Sequence, residues 1–585
     1  MSPRDSSRRE TESDGKHAPL RRALSFLESD LSPETVVRAG YYAGVLFGVG
    51  VGAATLAFFG IVPGVLCGTA AGLLASTAVE YGPRWIARVR RTRSLGDATA
   101  LVGLLVLRVR LDPSLERAVR FAVRTDEGRL FRALETHVRR SRGGPESGLA
   151  AFADDWRPYF PALDRASAQL ATATTVPAGR RQRTLDRAMD AVVDGTREEL
   201  AAYAGRIRSP VTAIYAFGVL LPLALVGVLP AAPAAGVPVS LPAVALAYGV
   251  VLPTGLVAAG AWLLARRPVA FPPPPVRSAH PDASGTLPRT VAVAGGCAAA
   301  AWLVAGAVAP GWTRPIAAVG VGVGSGLLSW FRPVESVRRR VRELEDGLPD
   351  ALVRIGQRVA EGDAVETALE HAAADATGPT GEVFQDAVAY GKTFRVDVRT
   401  AFLARDGALA TVPSPRFRRA AALLGVAARI GRPAGDVILD LATHLEELDR
   451  IETEARGRLS DVTGTLSNTA TVFGPLVGGA TVALSDRIRA VDVAGGEPGS
   501  FAGAGPGSGG PQQGGAAATE AAFATADLGL VIGAYVLLLA ALLTVLATGI
   551  ERGLDPASIG YRVGRALPIA SAVYVASFVA AAALL

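Results

Sequence analysis

The sequence predicts an all-α polytopic membrane protein, with about nine transmembrane helices and two cytoplasmic antiparallel helical-bundle domains that come from an internal duplication. Three observations lead there. Of the 585 residues 50% are hydrophobic and the mean hydropathy is +0.32, well above ordinary soluble chains. The apolar residues are bunched into runs nearly free of charge, at Tyr41 to Val79, Val211 to Ala265, Val291 to Phe331, Thr469 to Ser485, Leu528 to Ile550 and Ala566 to Leu585. Between these runs, two distant amphipathic windows share one pattern of apolar positions.

Residues 1–39 form a hydrophilic arm, and the first apolar run begins too late for a secretory leader. A membrane helix takes roughly 20 apolar residues, so the longer runs are expected to fold as hairpins. These occupy 40–79, 210–265 and 290–331, turning where Gly60 to Pro63, Pro230 to Pro242 and Pro310 to Arg314 supply turn residues. Helical domains fill 80–209 and 332–468, and the linker at 266–289 contains "RRPVAFPPPPVR", a stiff polyproline-type spacer. Single spans are expected at 469–485, 527–550 and 566–585. The loop at 486–526 is Gly-rich and too poor in apolar residues to bury a core, and 551–565 is a short connection.

Orientation follows from arginine, because positively charged loops stay on the cytoplasmic side. The first arm, both helical domains, the Pro-rich linker and the loop with Glu551, Arg552, Arg562 and Arg565 are basic or mixed, whereas the opposite connections are nearly uncharged. The expectation is a multi-pass protein of the cell membrane with a cytoplasmic N-terminus and an external C-terminus. The net charge of +7 is then mainly a topology signal, favouring anionic headgroups or an acidic partner over nucleic acid.

The duplication is read from "LDPSLERAVRFAV" at Leu111 to Val123 and "EGDAVETALEHAA" at Glu361 to Ala373. Leu115, Ala118, Val119 and Ala122 fall on Val365, Ala368, Leu369 and Ala372, a helical stripe in both copies, and Val102, Leu105 and Val109 fall on Leu352, Ile355 and Val359. Further on, "PAG" at Pro177 and Phe217-Gly218 correspond to "PAG" at Pro433 and Phe473-Gly474. In the second copy Pro349 suits a first helical turn, Gly362 suits a stop, and Asp363 with Glu366 makes a capping-box pattern. In the first copy Asp112-Pro113 is expected to cap and start the equivalent helix. A further helix pair is expected from Arg416 to Arg429 and from Ala434 to Arg456.

Two stretches, "LPDALVRIGQRVAEGDAVETALEHAA" from Leu348 and "AALLGVAARIGRPAGDVILDLATHLEEL" from Ala421 to Leu448, resemble the F-protein family of type II secretion, the platform proteins of type IV pilus-like machines. The first copy is degenerate, with Asp112 where the second has Gly362. Two such domains with about nine spans look more like the archaeal members, which serve pili and the archaellum. The resemblance implies a non-enzymatic assembly platform without a cofactor, working as a homo-oligomeric dimer. Its implied partners are a hexameric secretion or pilus ATPase, pilin- or archaellin-like subunits, and the lipid bilayer. The rival expectation is a transporter with duplicated halves, which the repeat alone allows. The spans carry almost no ionisable residues, and this disfavours coupled transport.

Two groups of residues are candidates for contact. Arg338, Arg339, Arg340 and Arg342, followed by Glu343 and Glu345, lie where a span emerges, and serve either as an inside-facing anchor or as a charged ATPase interface. Gly60, Gly64, Gly68 and Gly72 form a small-residue stripe that either packs one helix on another or makes a groove for a pilin helix.

No catalytic pattern emerges. Gly391-Lys392-Thr393 lacks the upstream glycine and strand of a phosphate loop, having Asp386 there instead. The glycines at Gly48, Gly50 and Gly52 and from Gly320 to Gly326 sit inside spans without a partnering acid, and Gly324-Ser325-Gly326 lacks a strand-turn-helix setting. His17, His137, His280, His371 and His444 show no metal-ligand spacing, with His371 and His444 expected on helix surfaces. Cys67 and Cys297 lie in spans without a second ligand nearby and are expected to be buried packing residues.

Overall fold

The computed structural model describes residues 20–494 and 525–584, except 22, 25, 28, 30, 60, 127, 142–144, 229–240, 268–272, 275, 277–279, 284 and 431–433. The expected turn residue Gly60, most of the Pro230 turn, Pro433, much of the Pro-rich linker and nearly all of the Gly-rich loop lie outside the described residues. Among the described residues every regular element is helical and none is a strand.

Six helices are long and apolar enough to cross a bilayer, which makes this a multi-pass membrane protein: Pro33–Ala53, Ala178–Val228, Leu241–Leu264, Leu287–Val308, Thr525–Arg552 and Pro556–Leu584. Nine were expected. Of the other three, Ile61–Leu95 is helical, but several side chains at its start lie outside the description. Thr313–Asp346 is diluted by Arg314 and four glycines, and Thr469–Phe473 with Gly474–Ala494 by threonines, glycines and Asp486.

In chain order, Pro33–Phe59 (α1) and Ile61–Leu95 (α2) form a hairpin at the periphery. The first polar module follows as Ala98–Leu111 (α3), Leu115–Thr125 (α4), Arg129–Arg140 (α5), Pro145–Trp156 (α6) and Pro161–Thr175 (α7). Ala178–Val228 (α8) is a single 51-residue helix that begins in that module and ends among the spans, and Leu241–Leu264 (α9) returns beside it. After the linker, Leu287–Val308 (α10) packs along Thr313–Asp346 (α11) and leaves most of its surface open.

The second polar module is Leu348–Glu361 (α12), Val365–Asp375 (α13), Gly378–Phe394 (α14), Val398–Leu403 (α15), Pro415–Ile430 (α16) and Ala434–Asn468 (α17). A π-turn at Thr469–Phe473 carries α17 without a break into Gly474–Ala494 (α18). Thr525–Arg552 (α19) and Pro556–Leu584 (α20) complete the membrane part.

Element lengths in the two modules match at the start. Helices α3 and α12 each have 14 residues, and α4 and α13 each have 11. All seven apolar positions aligned in each module are buried. Each module's long helix also carries a π-turn, Ala216–Leu220 in α8, which contains Phe217-Gly218, and Thr469–Phe473, which ends just before Gly474.

Local signals differ in detail between the two modules. Gly362 has φ 117°, a left-handed stop that a side chain would strain, and Pro349 sits in the first turn of α12. The expected capping box at Asp363 does not form: α13 is capped at Ala364 without a side-chain bond, and Asp363 instead faces Arg358 at 3.7 Å. In the first module Ser114, not Asp112, caps α4 by accepting from the Arg117 amide at 3.3 Å. Asp112 closes the preceding helix and pairs with Arg108 and Arg117 at 3.1 and 2.7 Å.

The membrane core gathers around α19, the most buried span. In α8 Pro222 has no N–H to offer the Gly218 carbonyl one turn back, which in lipid would leave an unpaired acceptor. Tyr535 of α19 donates its hydroxyl to that carbonyl at 3.1 Å, and Tyr248 of α9 donates to the Pro222 carbonyl at 2.7 Å. Tyr574 of α20 likewise donates to the Gly529 carbonyl at 2.8 Å. Three buried phenols thus tie four helices together.

Candidate functional site at the paired modules

An amphipathic helix needs a cover for its apolar stripe, and the two modules cover each other. Leu101, Leu105, Leu115 and Ala118 from the first share one continuous core with Leu352, Ile355, Leu369 and Leu441 from the second. Where α3 meets α17 the approach is close: a Cβ on Gly103 would clash with His444 Nε2, so the histidine is seated over the glycine. His444 is therefore an interface residue and not a free helix-surface one. Burial, with Arg419 and Arg416 nearby, lowers its pKa to about 4, which keeps the imidazole neutral at neutral pH.

Three arginines bridge the modules. Arg419 of α16 reaches Asp97 at 3.3 Å and Asp126 at 2.6 Å, with its guanidinium 5.4 Å from the centre of the Phe131 ring. Burial raises the Asp97 pKa, only partly countered by Arg419. Arg110 of α3 pairs with both Asp186 of α8 and Asp440 of α17, and Arg197 of α8 pairs with Glu447 at 2.5 Å. None of these pairs was anticipated from the sequence. The only hint was charged residues interrupting apolar runs, as in "LRVRL" and "RRAAALL".

The arginine strip is split by helical periodicity. Arg338 is buried, and its guanidinium grips Asp555 with bonds of 2.7 and 3.0 Å while also donating to Ser558 Oγ and the Pro274 carbonyl. Arg342 pairs with Glu335 at 2.9 Å. Glu345 is largely enclosed, its side chain 9% exposed, accepting from Ser414 Oγ at 2.5 Å, and desolvation raises its pKa in spite of Arg416. All three are engaged within the fold, Arg338 and Glu345 away from solvent and Arg342 with part of its side chain exposed. Arg339, Arg340 and Glu343 face outward, Arg340 in a solvent-exposed pair with Glu382.

Beside the strip lies a cleft of about 770 Å³ whose rim carries Asp346, Asp350, Glu446, Asp449 and Glu454 against Arg416 and Arg450. Burial first and the facing Asp449 second raise the Asp346 pKa, against the opposing pull of Arg416 and Arg342.

The glycine stripe is closed by facing glycines. A Cβ on Gly68 would meet the Gly48 carbonyl and Gly52 Cα at 2.8 Å, and one on Gly72 would meet the Gly44 carbonyl at 2.8 Å. Here α1 and α2 touch backbone to backbone, leaving no groove at these two positions. Gly60 lies outside the described residues, and Gly64 is described only as helical. The second glycine series alternates: Gly320 and Gly324 face Ser571 and Pro568 of α20, whereas Gly322 and Gly326 face Ala298 and Ala294 of α10. This is close packing of α11 between two helices.

Gly391, Lys392 and Thr393 lie within α14, where Lys392 pairs with Glu370 at 2.9 Å. His137 and His371 bond carbonyls one turn back on their own helices, and His280 bonds the Thr411 carbonyl; His17 lies outside the described residues. Among the described residues no group of three or more potential metal ligands converges. Cys297 is a half-buried free thiol, and the Cys67 side chain lies outside the description. No family model, curated protein or solved structure matches the chain.

Proposed function

We propose that this protein is a non-enzymatic membrane assembly platform of a type IV pilus-like machine, whether pilus, archaellum or secretion system. It couples a cytoplasmic ATPase to the insertion of pilin-like subunits into a filament. The observation that carries the reading is continuity: α8, and α17 with α18, each run unbroken from the paired polar modules into the membrane part. Motion imposed on the modules is thereby passed to helices among the spans. The reading includes a duplicated domain with about nine spans in the cell membrane, arginine-rich loops inside, the C-terminus outside, and a dimeric working state. Beyond continuity it rests on the resemblance of Leu348–Ala373 and Ala421–Leu448 to the type II secretion F-protein family.

The ATPase-facing surface we assign is the acidic cleft together with outward-facing Arg339, Arg340 and Glu343, because Arg338, Arg342 and Glu345 are spent within the fold. Purification of the full chain from its native membrane tests the reading. A hexameric ATPase and pilin-like subunits are expected to accompany it, and Asp449→Lys at the cleft rim is expected to release the ATPase while leaving membrane insertion intact. Leu352 and Leu369 are unsuitable for that purpose, since both are buried in the shared core. Recovery of neither partner, together with substrate-dependent uptake by vesicles containing the protein, would overturn the platform in favour of a transporter.

A further inference from the structure

A second cavity, of about 650 Å³, opens where α2, α8 and α9 meet. Its walls carry Arg84, Arg88, Arg91, Arg206, Arg266 and Arg267, and no carboxylate is among the described lining residues. Two of the six also meet a carboxylate away from the wall, Arg84 with Glu80 at 3.5 Å and Arg206 with Glu199 at 3.8 Å, but every charged residue of the described lining is basic, a surface that favours an anion.

Several of these side chains are already held in place. Arg267 is buried, donating to the Gly549 and Glu551 carbonyls at 2.9 and 3.2 Å. Arg266 lies 3.8 Å from the centre of the Trp262 ring and Arg91 lies 4.0 Å from that of Tyr159, contacts that orient a guanidinium without neutralising it. Two polar atoms on the wall are buried without a partner, Arg84 Nε and the Tyr203 hydroxyl. Both can donate to a ligand oxygen.

The height of the cavity indicates the source of the anion. Arg84 follows the apolar run that ends at Val79, Arg206 precedes the run that begins at Val211, and Arg266 follows the span that ends at Leu264. All three stand at the same arginine-rich end of apolar helices, beside Trp262 and Tyr203, which are side chains of the kind that gather at headgroup level. Leu95, Ile207 and Leu263 give the same cavity an apolar wall.

We propose that this cavity binds the phosphate of an anionic phospholipid headgroup, held by the arginines and by the Tyr203 hydroxyl, with the glycerol and upper acyl carbons against the apolar wall. The bound lipid fills the gap between the α1–α2 hairpin and the central helices, which are otherwise joined there by the Trp85 indole N–H donating to the Ala261 carbonyl at 2.9 Å. The inference needs only a multi-pass protein and is independent of the platform reading.

The test is native mass spectrometry of the full chain in detergent micelles, titrated with phosphatidylglycerol and phosphatidylcholine of identical acyl chains. At least one phosphatidylglycerol is expected to stay bound, preferred over phosphatidylcholine by about tenfold or more, because both carry the phosphate but the choline ammonium brings a positive charge against the arginines. In Arg206→Gln/Arg266→Gln the preference is expected to vanish, in Arg206→Lys/Arg266→Lys to persist in large part, and in the distant Arg340→Gln to be unchanged. Equal retention of the two lipids by the unaltered protein overturns the proposal without reliance on any variant. So does an undiminished preference in the glutamine double variant. A third overturning result is millimolar inorganic phosphate binding in the cavity while phosphatidylglycerol does not, which would make the ligand a soluble anion.

Discussion

Asp555→Asn is the sharpest test of the packing described above, because it removes one charge and almost no volume. Arg338 is 5% exposed and Asp555 18% exposed, so neither can recover hydration without moving α11 from the start of α20. Breaking a buried ion pair from one side typically costs about 3–5 kcal/mol, since the remaining charge is stranded, and the partial exposure of Asp555 places this case near 3 kcal/mol. The cap is spared: Asp555 accepts from the Ser558 amide at 2.7 Å, and asparagine caps about as well. In Arg338→Met/Asp555→Leu no charge is left behind, so most of the loss should be restored, short of about 1 kcal/mol for the missing cap. The assay is reversible unfolding in mixed detergent micelles, following helicity against the mole fraction of dodecyl sulfate. Burial pulls the Asp555 pKa upward, but the bonds from Arg338 and Ser558 outweigh it and hold the carboxyl below its ordinary value. Its contribution is therefore complete above the unfolded pKa near 4 and is lost as pH falls through the lower folded value. A single variant within about 1 kcal/mol of the unaltered protein, or a double variant no better than the single, would refute the argument.

Two further outcomes follow from the same geometry. His444 has a folded pKa of about 4 against an ordinary 6.5, so the unfolded chain takes up the proton first and the stability of the paired modules falls as pH drops from 6.5 toward 4. Protection of the Ala98–Leu111 and Ala434–Asn468 amides, taken as exchange relative to the intrinsic rate at each pH, should fall over that interval and do so less in His444→Gln; an identical fall in the variant would assign the effect to other groups. Gly72→Leu sets a side chain against the Gly44 carbonyl and Gly48 Cα, backbone atoms that cannot rotate away, at a cost of about 1–3 kcal/mol confined to the α1–α2 hairpin. Faster exchange in that hairpin with unchanged exchange in the modules is the expected pattern. Unchanged exchange in the hairpin would mean that the two helices do not pack through their glycines.

Helix positions in the modules were largely legible in the sequence, because a stripe at helical spacing survives any tertiary context. Leu115, Ala118, Val119 and Ala122, and their counterparts from Val365, are buried as the spacing requires. What lies across from a stripe was not legible. Periodicity says that a face is covered and not by what, so the fusion of two modules into one core, with His444 over Gly103, came only from the structure. The charged strip misled for a related reason: read linearly, Arg338 to Glu345 is a single patch, but a helix turns residue 338 toward Asp555 while leaving 339 outside. The six-arginine cavity draws on segments far apart in the chain, and each of its arginines taken alone reads as an ordinary loop charge.

The long helix α8 has a mechanical consequence. At 1.5 Å per residue its 51 residues make a rod of about 75 Å, longer than a bilayer is thick. A rod that long, pivoted near its middle, converts a tilt of about 5° into an end displacement of about 3 Å. Pro210 and the π-turn at Ala216–Leu220 lie side by side along it, just where the polar part gives way to the apolar part, and α17 and α18 meet at their own π-turn with Pro475 beside it. Proline and π-turns are where helices bend, so each lever carries its joint at the boundary between the two environments. Under the proposed function, torque applied to the modules would bend the chain at these two joints and swing the spans beyond them.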